Sequence, residues 1–238
     1  MPYRIHNFLR EARARTRTSL SAKASDVYAS AKEYPRMPKL ALPRPAPLKM
    51  SLEQALSARR SSHDTSGVLS LADIGTLLGH ALGVRTDGSR HYPSGGGAYP
   101  VETYVLSGAI DYVPSAVLHY HPLTHSLEHL WDIETRPLVF QNSINSWADS
   151  AAALIILTAN WNKAAQYREF AYSLGMLETG HVAQNILLVA TACGLSSCSL
   201  GGFSDDVVYN MLDIDATREQ VVHVIAVGRP ENPKGGAE

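Results

Sequence analysis

Two arginines and a serine stand together at the predicted end of an early helix, in the order Arg59, Arg60 and Ser61. Guanidinium groups bind phosphate oxygens through paired N–H donors, and a serine hydroxyl adds a short donor to the same anion. A solvated basic helix end, favoured by the helix dipole, would show the same residues. On their own they leave a phosphate site and a basic surface both open.

A run of three glycines lies in HYPSGGGAYP, residues 91–100, between two tyrosine–proline pairs. Glycine lets the backbone approach a ligand closely or adopt a positive φ, at a cost in conformational entropy. The flanking prolines stiffen this loop. The stretch therefore indicates either a shaped surface for a flat ligand or an ordinary turn.

Two further segments can present polar groups to a ligand. GLSSCSLGGF, residues 194–203, ends in Gly201 and Gly202, whose backbone N–H groups can point at acceptor atoms. Arg229 follows an apolar run that predicts a buried strand, and from there it can reach a phosphate. A plain loop and a solvated arginine are the alternatives for these two segments. Neither G-x-G-x-x-G opening a helix nor a Walker A loop occurs in the chain.

A metal site is not predicted. Four histidines crowd one predicted hairpin, at positions 119, 121, 125 and 129. No thiol completes a ligand set among them, and their spacing matches no zinc pattern. The two cysteines of the chain, Cys193 and Cys198, are too few for a disulfide framework and predict two buried free thiols in a reducing, cytoplasmic compartment.

Bulk composition excludes several classes of function. The chain has 238 residues, of which 45% are hydrophobic and 18% charged, and its net charge is −1. That balance gives no electrostatic reason to expect nucleic acid or an anionic membrane as a partner. No apolar run reaches the length of about 18 residues that a membrane-spanning helix needs. The first 20 residues lack the apolar core of a secretory signal.

We expect two regions in the chain. Residues 1–36 form a basic N-terminal extension, for which a partner-binding arm, a transit-like segment and a solvated helix face are the alternatives. Residues 37–238 form the folded domain. The domain opens with a proline-rich segment, residues 37–50, which predicts an extended arm able to lie across a neighbouring subunit.

Within the domain, periodicity predicts an α+β fold. Helices are expected over residues 51–61 and 69–83, with Gly83 at the glycine position that comes after a helix end. A buried helix is expected over residues 167–193. The segment 194–203 is interpreted as a turn. The strands are expected over residues 101–108, 116–122, 127–133, 152–160 and 221–228.

Taken in order, these segments resemble the flavin-binding motifs of the nitroreductase superfamily. The resemblance is to its SagB-type azoline dehydrogenase branch, which oxidises thiazolines and oxazolines in peptide natural products. It covers about residues 37–230, and it is specific as a linked series although each motif alone is weak. The segments that carry it are LALP, SLEQALSARRSSH, YPSGGGAYPVE, VLHYHP, LETGHVAQN and GLSSCSLGGF.

The resemblance implies a nitroreductase-like fold, with a central, mostly antiparallel sheet flanked by helices. It also implies an intertwined homodimer with FMN at the subunit interface. The resemblance also implies which residues surround FMN. Arg59, Ser61 and Arg229 would lie near the phosphate, and Arg60 beside the ring system. Pro93, Ser94 and Gly95 would lie along one side of the ring, and the N–H groups of Gly201 and Gly202 would face flavin N5 and O4.

Two departures from the family pattern bear on the chemistry. His63 stands where a cation normally lies near flavin N1 and O2, so any charge there depends on pH. The family's lysine–tyrosine pair reads Gln166–Tyr167 here, and Lys163 lies three residues earlier. Tyrosine, with an ordinary pKa near 10, is a poor base without a cationic neighbour. Tyr167 is thus predicted either as the catalytic base or as a residue that shapes the pocket.

The resemblance predicts an FMN-dependent dehydrogenase that oxidises an azoline or related C–N bond in a peptide or peptide-derived substrate. A cyclodehydratase or synthetase is the expected partner, and neither nucleic acid nor a membrane is expected. One alternative is a general flavin reductase that uses NAD(P)H and small acceptors. Another is a catalytically weak scaffold subunit of a heterocyclase complex, suggested by the missing lysine.

Overall fold

A computed structural model describes residues 2–19, 31–141 and 143–231 of the chain. The α-helices in these residues are α1 (Pro2–Ser19), α2 (Leu52–Ala58), α3 (Leu71–Leu82), α4 (Phe170–Ala192) and α5 (Asp205–Leu212). The strands are β1 (Lys39–Ala41), β2 (Val101–Ser107), β3 (Ala116–His121), β4 (Ser126–Asp132), β5 (Ala153–Asn160), β6 (Ser196–Leu200) and β7 (Glu219–Gly228).

The strands form one sheet in the order β1-β4-β3-β2-β5-β7-β6, and every neighbouring pair is antiparallel. All seven residues of β2 are buried, as are seven of the eight residues of β5. A strand covered on both faces needs apolar side chains in succession, which is the pattern that β5 has in the sequence. The predicted α+β fold with an antiparallel sheet is confirmed.

Helices α3 and α4 pack on one face of the sheet, and their apolar side chains join those of β2, β5 and β7 in one core. The opposite face carries a second core that includes Phe140 and the apolar side of α5. Helix α4 passes through both of its glycines without a break. Gly175 is needed there because a β-carbon would come within 2.9 Å of the Trp161 ring.

Two helices begin at capping boxes, and the predicted helix start at Ser51 is confirmed. Ser51 caps α2 with Gln54, and Ser70 caps α3 with Asp73. The interpretation of Gly83 was wrong in one respect. Gly83 ends α3 with φ −53° and ψ 156°, so it does not adopt the left-handed conformation expected after a helix. Glycine is required for space instead, because a β-carbon would overlap the Gly79 carbonyl oxygen.

The segment interpreted as a turn contains the edge strand β6. Its sequence, SSCSL, has little apolar alternation, so strand formation depends on pairing with β7 rather than on local preference. The proline-rich arm is extended as predicted and crosses α3, where the Ala46 N–H donates to the Thr76 hydroxyl (3.1 Å). Of the two cysteines, Cys198 is buried and Cys193 is half-buried, and both are free thiols.

Helix α1 of the basic N-terminal segment packs against the start of α4. The Arg13 guanidinium lies 5.5 Å from the centre of the Phe170 ring, and Arg15 pairs with Glu169 at 3.6 Å. Residues 20–30 of the segment fall outside the described residues, and the domain boundary at residue 36 stays a prediction. No helix in the described ranges has the length and apolar character to cross a membrane.

Candidate functional site

The Arg–Arg–Ser segment runs alongside the free edge of β6. The Ser62 N–H donates to the Ser197 carbonyl oxygen (3.0 Å), and the Ser61 side chain interacts with Cys198. Gly201 and Gly202 come directly after the end of β6. Apart from their chain neighbours, no atom of the described residues lies within 4 Å of a β-carbon built at either glycine, and both glycines are exposed. The two sequence motifs thus lie along one strand edge.

Within the Arg–Arg–Ser segment the side chains have different surroundings. Arg60 is exposed and folds back over the end of α2, where its Nη1 donates to the carbonyl oxygens of Ser57 (2.8 Å) and Arg59 (2.9 Å). Arg59 is half-buried and Ser61 is exposed. A ligand phosphate at this position would meet Arg59 and Ser61 without displacing a helix cap, whereas Arg60 serves that cap.

Arg229 lies at the other end of β6 from the two glycines, because Gly228 pairs with Ser196. Its guanidinium is shared with Asp73, to which Nη2 donates at 2.8 Å and Nε at 3.2 Å, while 49% of the side chain stays exposed. Five strand residues separate this end from Gly201, a distance of about 17 Å at the usual rise. Arg229 and the glycine turn therefore lie at the two ends of β6, with the Arg–Arg–Ser segment along the edge between them.

His63 is held by stacking. Its exposed ring lies parallel to the indole of Trp147, with centroids 4.1 Å apart and an angle of 18° between the planes. The Trp147 Nε1 atom is buried and has no hydrogen-bond partner among the described residues. Sequence reasoning did not find Trp147, because nothing in the segment 146–150 indicates that it packs on the RRSSH stretch.

The second part of the site is the glycine loop before β2. The Ser94 hydroxyl accepts from the Tyr99 N–H (2.8 Å) and so closes the loop on itself. Gly96 and Gly97 have φ values of 59° and 67°, which side chains other than glycine rarely adopt. The prolines and this closure make the loop a shaped surface rather than a flexible turn.

Tyr167 lies against that loop. A β-carbon added at Gly96 would overlap the Tyr167 hydroxyl oxygen, and one added at Gly95 would lie 3.2 Å from the Leu174 side chain. Tyr167 ends a 3₁₀ helix, Trp161–Tyr167, that leads from β5 into α4. The predicted base and the predicted wall of the pocket are thus neighbours, although about 70 residues lie between them in the sequence.

Lys163 does not take the position of the missing lysine. Its Nζ forms an ion pair with the buried carboxylate of Glu102, and only 11% of its side chain is exposed. Burial alone would raise the pKa of Glu102. The hydrogen bond from His119 and the charge of Lys163 outweigh burial, so the pKa of Glu102 is lowered. His119 is buried between Glu102 (3.4 Å) and Glu128 (2.9 Å). Gln166, at the position of the family's lysine, is exposed.

One buried titratable residue beside the glycine loop was missed by sequence reasoning. Glu178 of α4 is 2% exposed and interacts with Ser94 and with the Val101 N–H. Burial raises the pKa of Glu178 to about 7, more than Ser94 and Arg90 lower it. The available signal was a single carboxylate in a mostly apolar stretch of helix. A titratable group in such a stretch is a candidate for a functional site.

Sequence reasoning also missed a pair of side chains, Ser199 and His223, close to the Gly201–Gly202 turn. The Ser199 hydroxyl and His223 Nε2 form a short hydrogen bond on the face of the sheet that α4 covers. Burial lowers the pKa of His223, so its ring is neutral at physiological pH. Since His223 lies on β7 beside the end of β6, it supports the backbone that leads into Gly201.

The two parts of the site lie at the same end of the sheet. Val101, which comes after the glycine loop, pairs with Ala159, and Ala159 pairs with Gln220 at the start of β7. Gly201 lies on the far side of β7. Three strand spacings separate the loop from the turn, or about 15 Å. In one chain, Arg59, Ser61 and the Gly201–Gly202 turn therefore lie at the edge of β6. The glycine loop and Tyr167 lie near the start of β2, three strands away.

Comparison of the sequence with known protein families identifies the family of this chain. The sequence profile described as "Nitroreductase family" matches residues 56–229, from α2 to the end of β7. The chain belongs to the nitroreductase family. The match spans each part of the site, from the Arg–Arg–Ser segment to Arg229, so the expected family is confirmed.

Two relatives with different names are similar to this chain. A protein of Methanocaldococcus jannaschii named as a nitroreductase, MJ1384, is 31% identical over 185 residues, which are 76% of this chain and 92% of that protein. The microcin B17-processing protein McbC of Escherichia coli is 32% identical over 159 residues, 62% of this chain. The matched part spans 57% of McbC.

Solved structures of this family share the fold. The E. coli microcin synthetase complex McbBCD, with truncated pro-MccB17 bound, contains a chain that matches with a TM-score of 0.64 and 24% identity, over 94% of this chain and 93% of that one. A nitroreductase-type structure from Desulfovibrio desulfuricans in complex with FMN matches with a TM-score of 0.55 and 17% identity, over 80% and 92%. At these identities the likeness concerns the fold.

Proposed function

We propose that this nitroreductase-family protein is an FMN-dependent dehydrogenase that oxidises azoline rings to azoles in a peptide natural product. The observation that carries the proposal is the open Gly201–Gly202 backbone beside Arg59 and Ser61 on the edge of β6. The azoline substrate is supported by the similarity to McbC, a protein named for microcin processing. A synthetase partner is proposed on the same ground, since the McbBCD structure is of a synthetase complex.

The donor set fits FMN. Arg59, Ser61 and Arg229 would hold the phosphate, with Arg229 sharing its guanidinium between the anion and Asp73. The Gly201 and Gly202 N–H groups would face the polar edge of the ring, where they stabilise negative charge on reduction. Beyond the chain neighbours, no side chain of the described residues lies within 4 Å of the β-carbon position of either glycine, which leaves room for a ligand there.

The remaining residues would complete the ring site. His63, fixed by Trp147, would lie near the pyrimidine edge, and Arg60 would lie beside the ring. Pro93, Ser94 and Gly95 would form a wall along one side. Because this loop is about 15 Å from the glycine turn in one chain, we propose that the wall of each site comes from the other subunit of a homodimer.

A dimer of this kind has a surface available. Leu52 and Leu56 of α2 are 68% and 54% exposed, which is unusual for two leucines on one short helix. Beside them lies a groove of about 650 Å³, lined by Lys49, Met50, Gln54, Ser57, Ala58 and Ala192. A second copy of the chain that packs on α2 would bury both leucines.

In the proposed reaction two C–H bonds of the azoline ring break and one C=C bond forms. Bound FMN would supply the acceptor for the hydride that leaves one carbon. Tyr167, as the phenolate, would take the proton from the neighbouring carbon and become the phenol, and its contact with Gly96 keeps the phenol oxygen at the surface of the wall. The rigid loop orients the substrate against the tyrosine and excludes water from that side.

A second candidate function is a flavin reductase that uses NAD(P)H and small acceptors. It is favoured by the engagement of Lys163 with Glu102, which keeps Lys163 from taking the place of the lysine found in the azoline dehydrogenases. The 31% identity to MJ1384, named as a nitroreductase, favours it as well.

The experiment that separates the two uses FMN-loaded protein and a synthetic thiazoline peptide. We expect the peptide to lose two hydrogen masses, measured by mass spectrometry, without added NAD(P)H. A peptide of unchanged mass, together with oxidation of NADPH in the presence of a quinone, would favour the reductase instead.

A further inference from the structure

A single carboxyl group is buried behind the glycine loop. Glu178 lies one helical turn after Leu174, the residue of α4 whose side chain packs against Gly95. The Ser94 hydroxyl and the Val101 N–H, at the two ends of the loop, both act on the carboxyl. Its Oε1 atom is buried and has no hydrogen-bond partner among the described residues. The carboxyl thus joins the two ends of the loop through Ser94 and Val101, while its Oε1 atom accepts no hydrogen bond from the described residues.

Charged groups from three other elements face Glu178. Arg90, just before the loop, is 6% exposed and attracts the carboxylate, and Lys163 does so from the 3₁₀ helix while paired with Glu102 of β2. Tyr92 of the loop completes the cluster, with its hydroxyl accepting from Arg90 (2.8 Å). The carboxyl therefore lies in a buried cluster in which a change of its charge affects every neighbour.

Most members of the cluster keep one charge state across neutral pH. Burial opposes the charge of Arg90, but Tyr92 and Glu102 raise its pKa, and burial raises the pKa of Tyr92. The pKa of Glu102 is lowered. Glu178 differs, because burial outweighs its polar contacts and brings its pKa to about 7. His119 also has a raised pKa, but it contacts Glu102 and Glu128.

We propose that Glu178 couples a proton to ligand binding on the glycine loop, so that a flat ligand seated there drives Glu178 to its neutral form. The inference rests on the proposed FMN site. A ring placed on the loop excludes water from its outer side, and the less polar surroundings favour an uncharged carboxyl. Linkage then requires that the ligand bind more tightly where Glu178 is already protonated.

The test compares FMN binding by the full-length apoprotein and its Glu178→Gln variant from about pH 6 to about pH 8.5, a range that brackets the raised pKa. Calorimetry in two buffers of different ionisation enthalpy counts the protons taken up. We expect wild type to take up close to one proton more than E178Q near pH 8, with Kd rising by up to about tenfold per pH unit above 7. The FMN phosphate itself titrates near pH 6, which affects both proteins equally.

A matched control locates the effect at Glu178. Glu53→Gln removes an exposed carboxyl of α2 and should keep the wild-type proton uptake. Should E178Q fail to fold, Ser94→Ala provides a second variant. Ser94 lowers the pKa of Glu178, so its loss should move the proton uptake to higher pH.

A measurement without flavin gives an independent readout. Because the pKa of Glu178 is raised above its unfolded value, the native state holds an extra proton between those two pKa values, and the free energy of unfolding falls as pH rises through that window. E178Q should show a flatter profile in urea titrations from about pH 4.5 to about pH 8.

The outcomes separate two failures. Equal proton uptake on FMN binding by wild type and E178Q would overturn the coupling while leaving the FMN site intact. Absence of FMN binding by wild type and E178Q at every pH would refute the proposed flavin function, and the coupling with it.

Discussion

At the scale of single residues, the centre of the site is the contact between Tyr167 and Gly96. The glycine has a positive φ and leaves the space that the tyrosine hydroxyl occupies. Sequence reasoning found both residues but not their contact, because no local pattern links a loop before β2 to the residues before α4. Two substitutions test this contact.

Replacing Tyr167 with Phe should lower azoline turnover by at least about a hundredfold if its hydroxyl removes the proton. The phenyl ring keeps the packing with Ala98, Ala164 and Ala171, so FMN content should not change. Single-turnover rates with thiazoline peptide give the measurement. Full turnover by the variant would leave Tyr167 only a role in shaping the pocket.

Replacing Gly96 with Ala should displace Tyr167 and weaken FMN binding about tenfold or more, since the added methyl group overlaps the tyrosine hydroxyl. Gly88→Ala is the matched control. Gly88 also has a positive φ, 83°, but apart from its chain neighbours no atom in the described part of the chain lies within 4 Å of its β-carbon position. Both variants place a side chain at a positive φ, which costs roughly 1–2 kcal/mol. If both lose FMN equally, strain rather than the tyrosine contact explains the loss.

At the scale of elements, periodicity and end signals in the sequence predicted most of the helices and strands. The apolar run of β5, the long α4 and the start of α2 at Ser51 were correct, because burial and capping leave local patterns. Strand β6 was missed because its SSCSL sequence forms a strand only through pairing with β7. Three contacts of the site join segments that are far apart in the sequence: Arg229–Asp73, His63–Trp147 and Ser94–Glu178. The sequence could not predict such contacts, because no local pattern links the two residues of each pair.

The two glycines of α4 should respond in opposite ways to substitution. Gly180→Ala should stabilise the protein by about 0.5–1 kcal/mol, because alanine favours the helix and nothing lies within 4 Å of its β-carbon position. Gly175→Ala should destabilise it, because the β-carbon would press on the Trp161 ring. Urea unfolding measures both. Stabilisation by Gly175→Ala would mean that the 3₁₀ helix before α4 moves freely.

At the scale of the whole molecule, the proposed site requires a homodimer. The proposed phosphate edge and the proposed glycine wall lie at separate places in one chain, and Leu52 and Leu56 of α2 are largely exposed. Loss of the dimer should thus remove the flavin site.

Leu52→Asp should yield a monomer by light scattering and lower FMN affinity, because Leu52 is 68% exposed and packs little within the chain. Tyr112→Asp, at a residue that is 100% exposed on another surface, serves as the control and should keep both the mass and the affinity of wild type. A monomeric L52D protein with normal FMN affinity would place the complete site within one chain.

The most direct test of flavin-dependent azoline oxidation is an anaerobic titration of the FMN-loaded protein with thiazoline peptide, monitored by visible absorption. We predict that the oxidised flavin bands bleach in proportion to added peptide, one azole formed per flavin reduced, without NAD(P)H. Bands that persist through excess peptide, in a protein whose flavin is bleached readily by NADPH, would contradict the account.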